Sequence, residues 1–212
     1  MQPLFTDSGV FIALEGGEGG GKSTQAALLS QWLQSLGHTV LLTREPGGTD
    51  VGAVLRSIVL GHDTGELSPR TEALLYAADK AEHVDRVVLP ALAAGQVVIT
   101  DRYVDSTLAY QGAGRALDVD EVEHVARWAT RSLRPHLTVV LDINPEQGFA
   151  RFEGADRIES EPLEFHQRVR QGFLDLAAVD PTHYLVISAG GTPEAVHAQI
   201  RPAVEAWLGQ VR

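Results

Sequence analysis

Lys22 and Ser23 close the run EGGEGGGKST, Glu15 to Thr24. A lysine beside a hydroxyl, after consecutive glycines, is equipment for holding phosphate. Gly16, Gly17, Glu18, Gly19, Gly20, Gly21, Lys22 and Ser23 fit the spacing G-x-x-x-x-G-K-[ST]. Glycine cheaply adopts the φ values that let a chain turn from strand to helix with its N–H groups pointing inward. Such N–H groups form an anion-binding nest. The helix that follows adds about half a positive charge at its N-terminus. In this pattern the lysine reaches the β- and γ-phosphates and the serine hydroxyl binds Mg²⁺, with Thr24 placed for a further phosphate contact. A flexible linker would need neither a strand before it nor a helix after it. Here VFIAL (Val10–Leu14) precedes the loop, and Leu28, Leu29, Trp32, Leu33 and Leu36 share a helical face behind it. The stretch reads as a nucleoside triphosphate site.

Further chemistry sits at the ends of other apolar runs. Asp101 and Arg102 end VVITDRY. An aspartate there is placed to bind Mg²⁺ through water. The planar fork of Arg102 suits phosphate, and the two side chains also suit a structural salt bridge. Arg44 and Glu45 follow TVLLT and precede the turn Pro46-Gly47-Gly48. Arg56 falls on a helical stretch with Val51, Leu55 and Ile58. Tyr76 and Lys80 are four apart, on one helical face. Ser106, Thr107, Tyr110 and Gln111 are spaced for one side of a short helix.

The elements that must position these groups alternate. VFIAL, TVLLT (Thr39–Thr43), VVIT (Val97–Thr100), LTVVLDI (Leu137–Ile143) and YLVIS (Tyr184–Ser188) are apolar throughout, which fits strands buried on both faces. Helical patterns lie between them, among them Val196, Ile200, Val204 and Leu208 near the C-terminus. Leu36-Gly37-His38 reads as a helix end with a glycine cap. The expectation is one α/β domain over residues 1–212, with a doubly wound, five-stranded, mostly parallel sheet flanked by helices. Strand-end residues then face the ligand crevice. FEGADRIESEP, Phe152 to Pro162, reads as a surface loop placed where a lid can hang.

Composition narrows the partners. The net charge of −11 disfavours a nucleic-acid backbone or an anionic membrane, since no basic run offsets it. There is no cysteine, hence no disulfide or thiolate metal site, which suits the cytoplasm. No segment has the apolar length to span a membrane, and MQPLFTDSG lacks the pattern of a signal peptide. The eight histidines show no metal-ligand spacing and read as surface residues. The only asparagine, Asn144, precedes proline, so the Asn-Lys-x-Asp guanine motif of signalling GTPases is absent. A motor or transport ATPase usually needs more chain. A small kinase needs a second anionic pocket beside the phosphate loop.

TREPGGT (Thr43–Thr49), TEALLYAADKAEH (Thr71–His83), DRYVDSTLAYQGAGR (Asp101–Arg115) and DRIE (Asp156–Glu159) follow the loop in order. Together they resemble the bacterial thymidylate kinase family over nearly the whole chain. The resemblance implies a P-loop kinase that moves the γ-phosphoryl group of ATP to dTMP with Mg²⁺, usually as a homodimer. It implies that Glu18 accepts a hydrogen bond from the sugar 3′-hydroxyl and that Arg56 binds the monophosphate. It puts the segment from Ser106 to Gln111 around sugar and base, with Thr107 and Gln111 as the polar contacts. It gives Tyr76 a stacking role on thymine and Lys80 a contact to a base carbonyl, where the family usually has phenylalanine and arginine.

The family also carries several arginines between the helix start at Gly148–Arg151 and DRIE, or one inside the P-loop. This chain has FEGA in the first place and none in the second. The catalytic load therefore falls on Arg157, Arg102 and Lys22, together with Asp101, and Arg151 is left to flank adenine. Arg44, Arg56 and Arg102 hold the acceptor, with Glu45 beside them. The alternatives are a kinase of another nucleoside monophosphate or a deoxynucleoside, and a non-catalytic nucleotide-binding module. The helices after Thr71 and Val119 carry Leu74, Leu75, Val122, Val125 and Trp128, enough apolar surface for an interface or for core.

Overall fold

A computed structural model describes residues 8–151 and 156–210. The first part of the expected lid, residues 152–155, lies outside the described residues, as do most of MQPLFTDSG and the last two residues of the chain. The chain order is β1 (Val10–Glu15), α1 (Lys22–Ser35), β2 (Val40–Arg44), α2 (Asp50–Leu60), α3 (Pro69–His83), α4 (Leu89–Ala93), β3 (Val97–Asp101), α5 (Val104–Thr107), α6 (Val119–Ala129), β4 (Leu137–Asp142), α7 (Pro145–Phe149), α8 (Leu163–Val179), β5 (Tyr184–Ser188) and α9 (Pro193–Gln210). Wider helical turns at Val84–Val88 join α3 to α4, and others at Leu108–Gly114 extend α5.

The sheet runs β2-β3-β1-β4-β5 with every pairing parallel. Strand β1 lies at its centre, with Ile12 level with Ile99 of β3 and Leu137 of β4. All six β1 residues are buried because alternate side chains enter opposite helical layers. Val10, Ile12 and Leu14 pack with Ala26, Leu29 and Leu33 of α1 and Val196, Ile200 and Val204 of α9. Phe11 and Ala13 pack with Val84, Val88 and Leu92 on the other side.

The expectation of strands buried on both faces holds in the centre and fails at the edges. Leu42 of β2 is 44% exposed and Val186 of β5 is 45% exposed. Each edge strand has a neighbour on one side only, so the helical layers cover it incompletely. The α1 end is as expected: Gly37 has φ 90°, its N–H donates to Gln34 O, and His38 N–H donates to Leu33 O at 3.1 Å.

Two boundaries differ from the sequence reading. The helix expected to start at Gly148–Arg151 instead ends there, as α7 begins at Pro145 behind the Asn144 side chain, which accepts from Glu146 N–H. The described part of the expected lid is not a loose surface loop. Ile158 is buried, the Asp156 carboxylate accepts from Ile158 and Glu159 N–H, and Arg157 N–H donates to Leu60 O at the end of α2.

Candidate active site

The glycine loop leaves β1 and returns as α1 under two close contacts. At Gly16 (φ +129°) an added Cβ would lie 2.4 Å from Leu141 O. At Gly19 (φ +69°) it would lie 2.2 Å from Gly148 O. Backbone conformation and space both demand glycine at these two positions. No side chain caps α1, so the N–H groups of its first turn remain for a ligand.

Lys22 Nζ donates to Gly17 O at 2.7 Å, which folds the side chain back along the loop. Burial, and then the Arg102 charge, push this amine down to about 8. Ser23 Oγ donates to Asp101 Oδ2 at 2.5 Å. A hydroxyl and a carboxylate side by side at the loop end are the hard oxygen donors Mg²⁺ prefers. That ion is usually held by one or two such groups together with substrate phosphates. Among the described residues no cluster of three or more His, Cys, Asp or Glu could hold a metal on its own. The donor set therefore fits a metal that arrives with a polyphosphate.

Arg102 is the hub of the site. Its backbone has φ 71°, unusual for a non-glycine residue. The turn is pinned by Arg102 N–H to Leu14 O and by Thr100 Oγ1 to Arg102 O. The guanidinium donates to Gly16 O, Ser106 Oγ and Glu18 Oε1 at 3.0–3.1 Å and lies 4.9 Å over the Tyr110 ring. Glu18 also accepts from Tyr110 OH and, at 3.2 Å, from His166 Nδ1. Burial pushes this carboxyl up. The His166 bond, the Arg102 and Lys22 charges and the Tyr110 bond more than offset that, and hold it well below the usual carboxylate range.

Beneath them lies Glu15, which the sequence reading took only as the first residue of the glycine run. It is fully buried and accepts from Tyr103 N–H, Ser106 N–H and Ser106 Oγ. Burial, then the nearby Asp105 carboxylate, raise it to about 7. Its three bonds fix the chain that leaves Asp101.

One cavity of about 260 Å³ joins the loop to a second pocket. Its lining includes fifteen residues singled out in the sequence: Glu18, Gly19, Lys22, Ser23, Arg44, Glu45, Arg56, Tyr76, Lys80, Asp101, Arg102, Ser106, Thr107, Tyr110 and Gln111. Arg44 is exposed and makes no ion pair among the described residues. Arg56 Nη1 is braced on Pro46 O. Thr107 Oγ1 is buried without a hydrogen-bond partner among the described residues. Gly16, Gly17, Gly20, Gly21 and Thr24 do not line the cavity, and Thr24 points outward on α1. Arg151 is exposed outside it and donates to Gly19 O at 3.0 Å.

Glu45 lines the cavity, but both of its oxygens are engaged. Oε2 lies 3.0 Å from Lys80 Nζ and Oε1 lies 2.7 Å from His83 Nδ1, all three residues being at most 2% exposed. Burial opposes the charge on Glu45, while Lys80 and His83 lower its pKa below the ordinary value. Lys80 Nζ lies 5.9 Å over the Tyr76 ring.

Arg157 is placed differently from the expectation. It does not line the cavity. Its guanidinium donates to Val59 O and, at 2.5 Å, to Glu72 Oε2. Glu72, fully buried on α3, also takes two bonds from Arg115 and one from Gln111 Nε2. A phosphate that called on Arg157 would have to compete with that carboxylate.

The histidines also depart from the surface reading. His83 bridges Thr43 and Glu45, His136 Nδ1 accepts from Phe11 N–H, and His166 meets Glu18; all three are buried. Each partner lies 38 to 148 residues away in the chain. Local spacing carries no sign of such pairs. Gly148 was missed for the same reason: its Cβ would collide with Glu18 O, a contact visible only once α7 packs on the loop.

With this geometry in hand, the comparisons agree with one another. A family model described as Thymidylate kinase matches residues 14–200. A thymidylate kinase of Clavibacter sepedonicus is 54% identical over 198 residues, covering 92% of this chain and 93% of that protein. One from Synechococcus sp. (strain JA-2-3B'a(2-13)) is 55% identical over 199 residues, covering 94% and 96%. The crystal structure of thymidylate kinase from Ehrlichia chaffeensis superposes with a TM-score of 0.79 at 30% identity, over 93% of this chain and 99% of that one.

Proposed function

The chain belongs to the thymidylate kinase family, and from that premise we propose how its residues divide the work of a dTMP kinase. The reaction is transfer of the γ-phosphoryl group of ATP to the phosphate of dTMP, giving dTDP and ADP. The observation that carries the assignment of residues is the single cavity. It puts Lys22, Ser23 and Asp101 on the same space as Arg44, Arg56, Tyr76, Lys80 and Gln111. A donor site and an acceptor site that share one cavity suit direct transfer. The relatives lend no support to a non-catalytic module or to a kinase of another monophosphate.

The glycine loop, Lys22 and the uncapped start of α1 hold the triphosphate, with Arg151 flanking the loop. Ser23 and Asp101 would hold Mg²⁺, which supplies charge neutralisation on the β- and γ-phosphates when bound. Arg44 and Arg56 hold the acceptor phosphate. Arg102, anchored between the loop and Ser106, touches both transferring groups. Tyr76 stacks on the base, Lys80 donates to a base carbonyl, and Glu18 accepts from the sugar hydroxyl, with Thr107 and Gln111 as further polar contacts. Glu45 acts through Lys80 by fixing its direction. The acceptor is already an anion at neutral pH, so no general base is assigned; the chemistry is positioning and electrostatic stabilisation. The 212 residues act as one kinase domain.

We further infer a homodimer through the α3 and α6 faces. Leu74, 58% exposed, lines an apolar groove with Ala73, Ala77, Val122 and Val125, and Trp128 of α6 is 75% exposed. No helix among the described residues is long and apolar enough to cross a membrane, and the absence of cysteine suits work in the cytoplasm.

An ADP-release assay with Mg·ATP and each nucleoside monophosphate in turn tests the acceptor. Turnover with dTMP well above the others is expected. Equal turnover with dCMP would overturn the base-pocket assignment. Tight ATP binding without any turnover would overturn the catalytic one.

A further inference from the structure

We infer that His166 is a positioning residue for Glu18, aiming the one carboxylate oxygen that has room for the substrate sugar. The inference rests on the assignment of Glu18 to the sugar hydroxyl. An ionised carboxylate offers about two acceptor sites on each oxygen. Glu18 Oε1 already receives Arg102 Nη2, at 3.0 Å, and Tyr110 OH. Among the described residues Oε2 receives only His166 Nδ1, at 3.2 Å. A further donor arriving from the cavity therefore has Oε2 as its acceptor, and His166 fixes where the remaining lone pair of that oxygen points.

The ring is built to do this. Glu18 is held ionised and can only accept, so Nδ1 must carry the proton. The imidazole is 3% exposed. It stands perpendicular to Phe149, centroids 4.7 Å apart, and nearly so to Phe165 at 5.2 Å. These rings set its plane by packing alone. Its other nitrogen, Nε2, is buried with no hydrogen-bond partner among the described residues. The polar contact this buried ring makes among the described residues is thus directed at a residue of the phosphate loop, 148 positions away in sequence. A purely packing residue at this site needs no nitrogen, and the unpartnered Nε2 makes histidine a costly choice for packing.

The test uses two acceptors, dTMP and 3′-deoxythymidine 5′-monophosphate, with kcat and KM measured for the full-length wild type, His166→Phe, His166→Asn, Glu18→Gln and the double variant Glu18→Gln/His166→Phe. Phenylalanine keeps the ring packing and removes the donor. Asparagine places an amide N–H near the Nδ1 position. We expect His166→Phe to raise KM for dTMP about tenfold, the worth of one hydrogen bond to a charged group, with kcat changed less. KM for the 3′-deoxy acceptor should stay near the wild-type value. His166→Asn should restore most of the dTMP affinity, and the double variant should be no worse than Glu18→Gln alone.

Equal losses for both acceptors in His166→Phe would mean a structural role and overturn the inference. If Glu18→Gln discriminates between the acceptors differently from wild type but His166→Phe does not, the His166 inference alone falls. If Glu18→Gln leaves the ratio of the two acceptors unchanged, the sugar assignment of Glu18 falls and takes this inference with it.

Discussion

Lys80 Nζ lies 3.0 Å from Glu45 Oε2, with both side chains at most 2% exposed, in the wall of the cavity that also holds Tyr76 and Arg102. A lysine is a flexible point charge where an arginine would be a rigid fork. Here the buried carboxylate supplies the direction that the side chain lacks. The pair joins the end of β2 to α3 and draws in His83 behind it. Removing one partner leaves a charge in the interior. Glu45→Ala should therefore cost roughly 3–5 kcal/mol of stability, read as a melting temperature lower by about 10 °C.

The pH sign follows from the lowered pKa of Glu45. The contribution is fully present above the unfolded value of 4.5 and is lost as pH falls through the lower folded value. The stability gap between wild type and Glu45→Gln, measured by urea unfolding, should shrink on acidification below pH 4.5. A gap that widened there would show that another group controls the difference.

Lys22 gives a prediction at the alkaline end. Burial and Arg102 push its amine down to about 8 in the free protein. Above that pH the loop loses a positive charge before ATP arrives. The profile of kcat/KM for ATP, which reports the free enzyme, should fall above pH ~8, whereas ATP-saturated kcat should hold to higher pH because the bound polyphosphate favours the cation. Lys22→Ala should nearly abolish transfer while its circular dichroism stays that of the wild type. A flat kcat/KM profile to pH ~9.5 would contradict the assignment.

Glu72 governs the orientation of Gln111. Its carboxylate is held below the usual range by Arg115, Gln111 and Arg157 against the opposing effect of burial. It can only accept, so the amide nitrogen of Gln111 turns to it, at 2.9 Å, and under the proposed assignment the amide oxygen is left for the base. An acceptor there suits the N3–H of thymine and not the bare N3 of cytosine. Glu72→Gln releases that orientation and should lower the dTMP-to-dCMP ratio of kcat/KM about tenfold, one hydrogen bond's worth. Arg115→Gln, which keeps the carboxylate, should change absolute rates more than this ratio. An unchanged ratio in Glu72→Gln would sink the idea.

The proposed dimer is open to a charge on its apolar face. Leu74→Arg puts a cation on the exposed flank of the α3–α6 groove. Sedimentation at micromolar concentration should show a monomer for this variant and a dimer for the wild type. A wild-type monomer would overturn the interface.

Much of this protein is written locally. The glycine loop, the strand-end Asp101 and Arg102, the five apolar runs and the i, i+4 pairing of Tyr76 with Lys80 are matters of residue type and short spacing, and they specify a parallel α/β kinase. The backbone alone explains why. A turn with positive φ at Gly16 and Gly19 needs glycine wherever it folds, and a strand between two helical layers needs apolar side chains on both faces. Tertiary packing decided which charges are free to meet substrate. The family resemblance gave Arg157 a share of the catalytic load; in the fold its guanidinium meets Glu72, 85 residues away. Glu15 opened the glycine run without a role of its own and became the buried anchor of the Arg102 turn. His166 looked like a surface residue and became the partner of Glu18. Electrostatic pairing acts over a few ångströms of space regardless of chain separation, so only the folded arrangement of β1, β3, α3 and α8 determines which of these groups neutralise one another and which remain to act.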